Sequence, residues 1–359
     1  MFDFLNTWLA NGGFWVAIPL IIVGCAALIK GADFLVDGAS ALAKKYGVSD
    51  IVIGLTVVAF GTSMPEFVVN MVAVGQGSTE IAITNVLGSN IINIFVILGF
   101  TALIFPISSQ KSTRRFDIPF SLLAALLVLL FAIYNSPSWL QIEHIFNMNI
   151  ADPTLSDLGS IQMGQGNGGF ISGVGGSILL IFFLIFLWHN FKGIGSASQR
   201  ESNEEYKPMS ARRALALIIG GLVGLVVGGE LIVKSATSIA QSLGVSDAII
   251  GLTVVALGTS LPELATSCMA AFKKNCDIAL GNVIGSNLFN IFFILGTSAC
   301  VKALPGYHGL EIDALMAALG SVFVMLFVYL TKKHEIKRWH GAILLLTYAA
   351  YLAYRIITL

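Results

Sequence analysis

Gly54-Leu-Thr-Val-Val-Ala-Phe-Gly-Thr-Ser-Met-Pro-Glu66 is answered 197 positions later by Gly251-Leu-Thr-Val-Val-Ala-Leu-Gly-Thr-Ser-Leu-Pro-Glu263. Each phrase sets a carboxylate beside a proline inside an apolar stretch long enough to span a bilayer, where an ionisable group is costly and marks function. The match runs further. Gly47 to Gly99 aligns without a gap on Gly244 to Gly296, with 30 of 53 positions identical, which makes it an internal duplication. Each copy then closes on a second phrase, Asn85-Val-Leu-Gly-Ser-Asn-Ile-Ile-Asn93 and Asn282-Val-Ile-Gly-Ser-Asn-Leu-Phe-Asn290.

Composition places these phrases in a membrane. With 56% hydrophobic and 11% charged residues and a mean hydropathy of +0.85, the chain has more apolar surface than a soluble core can hide. The formal charge is zero, which argues against a nucleic-acid partner. Cys25, Cys268, Cys276 and Cys300 show no CxxC spacing and read as small apolar residues. Met1 to Asn11 carries no basic region or cleavage site, so the first apolar segment is expected to remain as a span.

Apolar runs predict an all-α, polytopic protein of ten transmembrane helices, near 15–43, 47–74, 79–104, 116–134, 172–191, 212–240, 245–271, 277–301, 311–330 and 340–358. They group as a first five-helix half over 1–191, a short cytoplasmic linker over 192–211 and a second half over 212–359, with an external loop near 135–171. Counting alternate joints puts 16 of the 20 Lys and Arg residues on one side. The positive-inside rule makes that side cytoplasmic and both termini extracytoplasmic, in the cell membrane. Lys44-Lys45 in the first copy corresponds to Gln241-Ser242, and Lys273-Lys274 in the second to Gln76-Gly77. The basic pair thus marks opposite ends of the two copies, which therefore enter the membrane upside down relative to each other. Such inverted repeats are a transporter architecture with the substrate site near the midplane.

Within each copy, Thr62 and Glu66 are spaced i and i+4, with Ser63 between, and Ser89 and Asn93 repeat the spacing on the next span. Pro65 is expected to free carbonyls near Ala59 and Gly61. Ala256, Thr259, Ser260, Glu263, Ser286 and Asn290 are the second set. Every donor is oxygen, which suits hard cations such as Ca²⁺. Burying each glutamate costs about 2.5 to 3.5 kcal/mol on insertion scales, and a bound cation offsets this.

Other polar groups have plainer readings. Asp33 with Asp37, and Glu230 with Lys234, are expected to pair or to snorkel. Ser49-Asp50 and Ser246-Asp247 read as helix N-caps. Glu143, Asp152 and Asp157 read as part of a solvated loop, and the five histidines share no ligand spacing.

The paired phrases resemble the two alpha repeats of the calcium/cation antiporter superfamily, and the whole chain resembles its compact bacterial and archaeal sodium/calcium exchanger-like members. The resemblance implies an ion-binding core made by the second, third, seventh and eighth spans, with the first and sixth sliding across it. It also implies Thr62, Ser63, Glu66, Ser89, Thr259, Ser260, Glu263 and Ser286 as ligands, joined by the Ala59 and Ala256 carbonyls. Several members carry aspartate where this chain has Asn290, which argues against potassium co-transport. The expected function is antiport of Ca²⁺ against Na⁺ by alternating access, with H⁺ as the alternative counter-ion, a cation channel behind both, and no enzymatic activity. No cofactor is expected. The partner is the lipid bilayer, and a monomer is expected.

Overall fold

The structure, a computed structural model, describes residues 3–134, 171–192, 209–244, 256–307 and 309–358. Its only strands among these are two residues each; all else regular is helix. Helix α1 (Asp3–Tyr46) breaks at Gly13, whose φ of 50° is open to glycine. It is followed by α2 (Asp50–Thr62), α3 (Met64–Gly75) and α4 (Thr79–Ile104). Strand β1 (Ile107–Ser108) leads to α5 (Lys111–Arg115), α6 (Asp117–Tyr134) and α7 (Gly173–Lys192). The second half runs through α8 (Ala211–Ser242), α9 (Ala256–Thr259), α10 (Leu261–Phe272), α11 (Cys276–Val301), α12 (Leu310–Leu330), β2 (Glu335–Ile336) and α13 (Arg338–Thr358).

Among the described residues, eight helices are long and apolar enough to cross a membrane, and the bent pair α2 and α3 makes a ninth. The expected span over 245–271 is represented by α9 and α10, its first part lying outside the described residues. The others fall within a few residues of expectation.

Burial sorts these helices into a centre and a rim. The most apolar window of α11 is 94% buried and that of α4 78%, against 11% for α1 and 28% for α8. Large apolar side chains such as Trp15, Ile22 and Leu346 point outward from the rim, as a lipid-facing surface requires.

Helices α1 and α8 lie backbone to backbone. A Cβ on Gly31 would stand 2.7 Å from the Gly221 carbonyl oxygen, one on Gly24 2.9 Å from that of Gly228, and one on Gly38 2.7 Å from that of Ala214. Ascending positions on one helix meet descending positions on the other, so the two run antiparallel. Small residues every seventh position permit this approach, which in lipid supplies the packing that the hydrophobic effect does not.

Short extended segments tie helix ends together. β1 pairs antiparallel with β2, and Ile171 bridges to Leu304. Neither pairing was expected from the sequence. They are related, since Ile107 and Leu304 occupy corresponding places after α4 and α11.

Candidate functional site

The repeated phrase folds as a broken helix. Ser63, at φ −86° and ψ 6°, ends α2, and α3 leaves at 46° to it. Ser260 repeats the break at φ −90° and ψ 5°. Thr62 and Glu66 therefore do not share one straight helix, as their spacing suggested; the break falls between them. Pro65 and Pro262 sit in the first turn of the following helix, where a missing N–H removes nothing. This corrects the expectation that proline frees the Ala59 carbonyl. That oxygen accepts the Ser63 N–H at 3.0 Å and lies 3.3 Å from the Thr62 hydroxyl. The same geometry puts Glu66 and Glu263 in a first helical turn, where the helix dipole favours a negative charge.

The two copies meet through these breaks. The Ser63 hydroxyl donates to Glu263 Oε1 at 3.0 Å, and the Thr62 hydroxyl also lies 3.1 Å from Asn282 Oδ1. Glu66 and Glu263 are each 1% exposed. Ser89, Asn93, Ser260, Ser286 and Asn290 are buried as well, while Thr259 is partly buried and partnered. Gly285 permits the convergence: a Cβ there would stand 2.6 Å from the Leu55 carbonyl and 2.8 Å from the Ala59 side chain.

Glu66 Oε2, Asn93 Oδ1, Ser260 Oγ, Glu263 Oε2, Ser286 Oγ and Asn290 Oδ1 are buried without a hydrogen-bond partner in the protein. Buried polar atoms are ordinarily satisfied, and leaving one unpaired costs about 1 to 3 kcal/mol. Six such oxygens are contributed by both copies, from the two glutamates and from serines and asparagines of the repeated phrases.

Several residues that shape this site were not singled out in the sequence. Asn85 Nδ2 donates to Asn70 Oδ1 at 2.6 Å and to the Glu66 carbonyl at 3.4 Å. Asn282 Nδ2 repeats this with Ser267 Oγ at 2.9 Å and the Glu263 carbonyl at 3.2 Å. These bonds fix each glutamate-bearing half-helix to the next span. Asn93 and Asn290 lie in π-helical stretches, Asn93–Leu98 and Phe289–Leu295, a local widening often found at functional sites. Asn85 and Asn282 were visible as identities between the copies, but identity says nothing of where an amide points.

The remaining candidates are structural. Lys273 Nζ binds Asp33 Oδ1 and Asp37 Oδ1, both at 2.6 Å, and Lys234 pairs with Glu230 at 3.3 Å, as expected for paired intramembrane charges. Ser49 occupies an N-cap position without a side-chain bond to the helix, and the Asp50 carboxylate accepts from the Asn275 amide at 2.7 Å. Ser246-Asp247 lies outside the described residues.

A multi-pass helical bundle that buries paired glutamates and orphan oxygens at the meeting of two copies of one motif defines a cation antiporter. The chain belongs to the sodium/calcium exchanger protein family, which matches residues 16–192 and 213–357. It is 34% identical over 342 residues to the putative antiporter CaxA of Alkalimonas amylolytica, covering 94% of this chain and 97% of that one. It is 33% identical over 351 residues to the sodium/calcium exchanger MaX1 of Methanosarcina acetivorans, covering 93% and 96%. Among solved structures it is similar to the sodium-calcium exchanger NCX_Mj soaked with Na⁺ and Ca²⁺, with a TM-score of 0.73 and 32% identity over 94% of this chain and 98% of that one.

Proposed function

We propose that this protein is a secondary transporter of the cell membrane that exchanges Ca²⁺ for Na⁺, admitting each in turn to one site from opposite sides. The observation that carries the reading is the set of six buried, unpartnered oxygens drawn from both copies around Glu66 and Glu263. Thr62, Ser63, Glu66, Ser89, Asn93, Thr259, Ser260, Glu263, Ser286 and Asn290 are the proposed ligand set. Ala59 joins by trading its Thr62 contact for the ion, and Ala256 joins by correspondence. Hard, oxygen-only donors suit Ca²⁺ and Na⁺ alike, and mutually exclusive occupancy makes exchange obligatory.

The architecture proposed is ten spans in two inverted five-helix halves, 1–191 and 212–359, with both termini outside. The antiparallel packing of α1 on α8, whose glycines hold corresponding places in the two copies, supports this. The same pair, smooth with glycine, is the natural element to slide across the core. The names of MaX1 and NCX_Mj favour sodium as the counter-ion.

The test is ⁴⁵Ca²⁺ flux into proteoliposomes under separately imposed Na⁺, K⁺ and pH gradients. Uptake into Na⁺-loaded vesicles is expected, without dependence on K⁺. Uptake that ignores the Na⁺ gradient and follows pH assigns proton coupling instead, and calcium current without any counter-ion gradient assigns a channel.

A further inference from the structure

Asn90 and Asn287 hold corresponding positions in the two copies, each one residue after a site serine, and both are buried. They face each other across the junction of α4 and α11. Asn90 Nδ2 donates to the Asn287 carbonyl at 3.2 Å, and Asn287 Nδ2 donates to the Asn90 carbonyl at 3.4 Å. A backbone carbonyl can only accept, so these bonds fix which end of each amide is the nitrogen. The side-chain oxygens of the pair must therefore turn the other way, and there each accepts one bond. Asn93 Nδ2 donates to Asn287 Oδ1 and Asn290 Nδ2 donates to Asn90 Oδ1, both at 3.0 Å.

The consequence reaches the site. An asparagine amide can present oxygen or nitrogen by a half-turn, and only oxygen can bind a cation. Were Asn93 or Asn290 to turn over, its oxygen would meet the fixed oxygen of the opposite copy. The turn is blocked, and the free ends are the unpartnered Asn93 Oδ1 and Asn290 Oδ1. We propose that Asn90 and Asn287 are positioning residues that hold the amides of Asn290 and Asn93 oxygen-first toward a bound cation, each copy orienting the other's ligand. This rests on reading Asn93 and Asn290 as ligands. It also makes the α4 and α11 junction a rigid unit, because loosening it on one side misdirects a ligand on the other.

The test is a double-mutant cycle on the purified full-length protein, read by the shift in melting temperature as Ca²⁺ is titrated, and separately as Na⁺ is titrated. Asn90→Ala is expected to raise the Ca²⁺ concentration for half-maximal stabilisation about tenfold or more, the usual effect of losing a group that orients a metal ligand. Asn90→Ala combined with Asn290→Ala is expected to bind no more weakly than Asn290→Ala alone, since the first acts only through the second. The mirror cycle with Asn287→Ala and Asn93→Ala is expected to behave alike, and Asn90→Ser serves where an alanine variant does not purify. Multiplying effects in both cycles, or wild-type Ca²⁺ affinity in Asn90→Ala, would overturn the proposal while leaving the exchanger reading intact. A wild-type protein stabilised by neither cation overturns the ligand reading, and this proposal with it.

Discussion

The Ser63 hydroxyl of the first copy donates to the Glu263 carboxylate of the second across 3.0 Å, so each half of the duplication holds part of the other's chemistry. A hydrogen bond to a charged group contributes about 1.5 to 3 kcal/mol. Ser63→Ala should therefore weaken Ca²⁺-dependent exchange about tenfold or more in KM, with the fold retained. Glu66→Gln and Glu263→Gln remove a charge each and should lower ⁴⁵Ca²⁺ exchange at least a hundredfold, while size-exclusion profiles stay those of the wild type. Full exchange in both glutamine variants would remove the glutamates from the site.

The glycine contact between α1 and α8 allows a contrast between two small changes. Gly31→Ala places a methyl group 2.7 Å from the Gly221 carbonyl, whereas nothing lies within 4 Å of a Cβ at Gly220 on the same helix pair. Overpacking of this kind costs about 1 to 3 kcal/mol. Gly31→Ala should lower the melting temperature in detergent by several degrees and slow exchange; Gly220→Ala should do neither. Equal behaviour of the two variants would contradict the close backbone approach.

Much of this arrangement was legible in the chain. Apolar runs located the spans because a bilayer imposes one length on every crossing helix, and the duplication exposed Glu66 and Glu263 because a costly residue stood twice in the same phrase. Direction was harder to read. Pro65 looked like a kink that would free carbonyls, yet its effect depends on whether it lies inside a helix or at its start, and the break at Ser63 decides that. The orienting roles of Asn90 and Asn287 depend on amide orientation and on contacts across 197 positions of chain, and those of Asn85 and Asn282 on amide orientation and on contacts from one span to the next. Periodicity carries neither. The pairing of β1 with β2 involves two residues on each side, too short for any strand pattern.

Lys273 makes a further prediction because it bridges two acids on α1. Asp33 and Asp37 lie one helical turn apart, and the Lys273 ammonium sits 2.6 Å from each. Lys273→Met leaves two like charges adjacent on one helix face, where they repel. Since the acids and the lysine are all partly exposed, the loss should be modest, about 1 kcal/mol. Melting temperature should fall by a few degrees and recover when Asp33→Asn is added. No recovery in the double variant would show that Lys273 acts through something other than these carboxylates.

The inverted arrangement can be tested by where the repeated turns emerge. Lys273 follows α10 and reaches Asp33 and Asp37 on the half of α1 that ends at Lys44 and Lys45. The corresponding turn of the first copy, at Gln76 and Gly77, lies beside Lys302, with the Lys302 ammonium 3.4 Å from a Cβ placed on Gly77. In a cysteine-free background, a cysteine at Lys45 and one at Lys274 should react only with a reagent that enters the cytoplasm. Cysteines at Gln76 and at Lys302 should react with a membrane-impermeant maleimide applied to intact cells. Because the turns at 76 and 274 are equivalent in sequence, opposite labelling of the two is what inversion requires. Labelling of both from the same side would show that the copies enter the membrane in parallel, and would overturn the inversion.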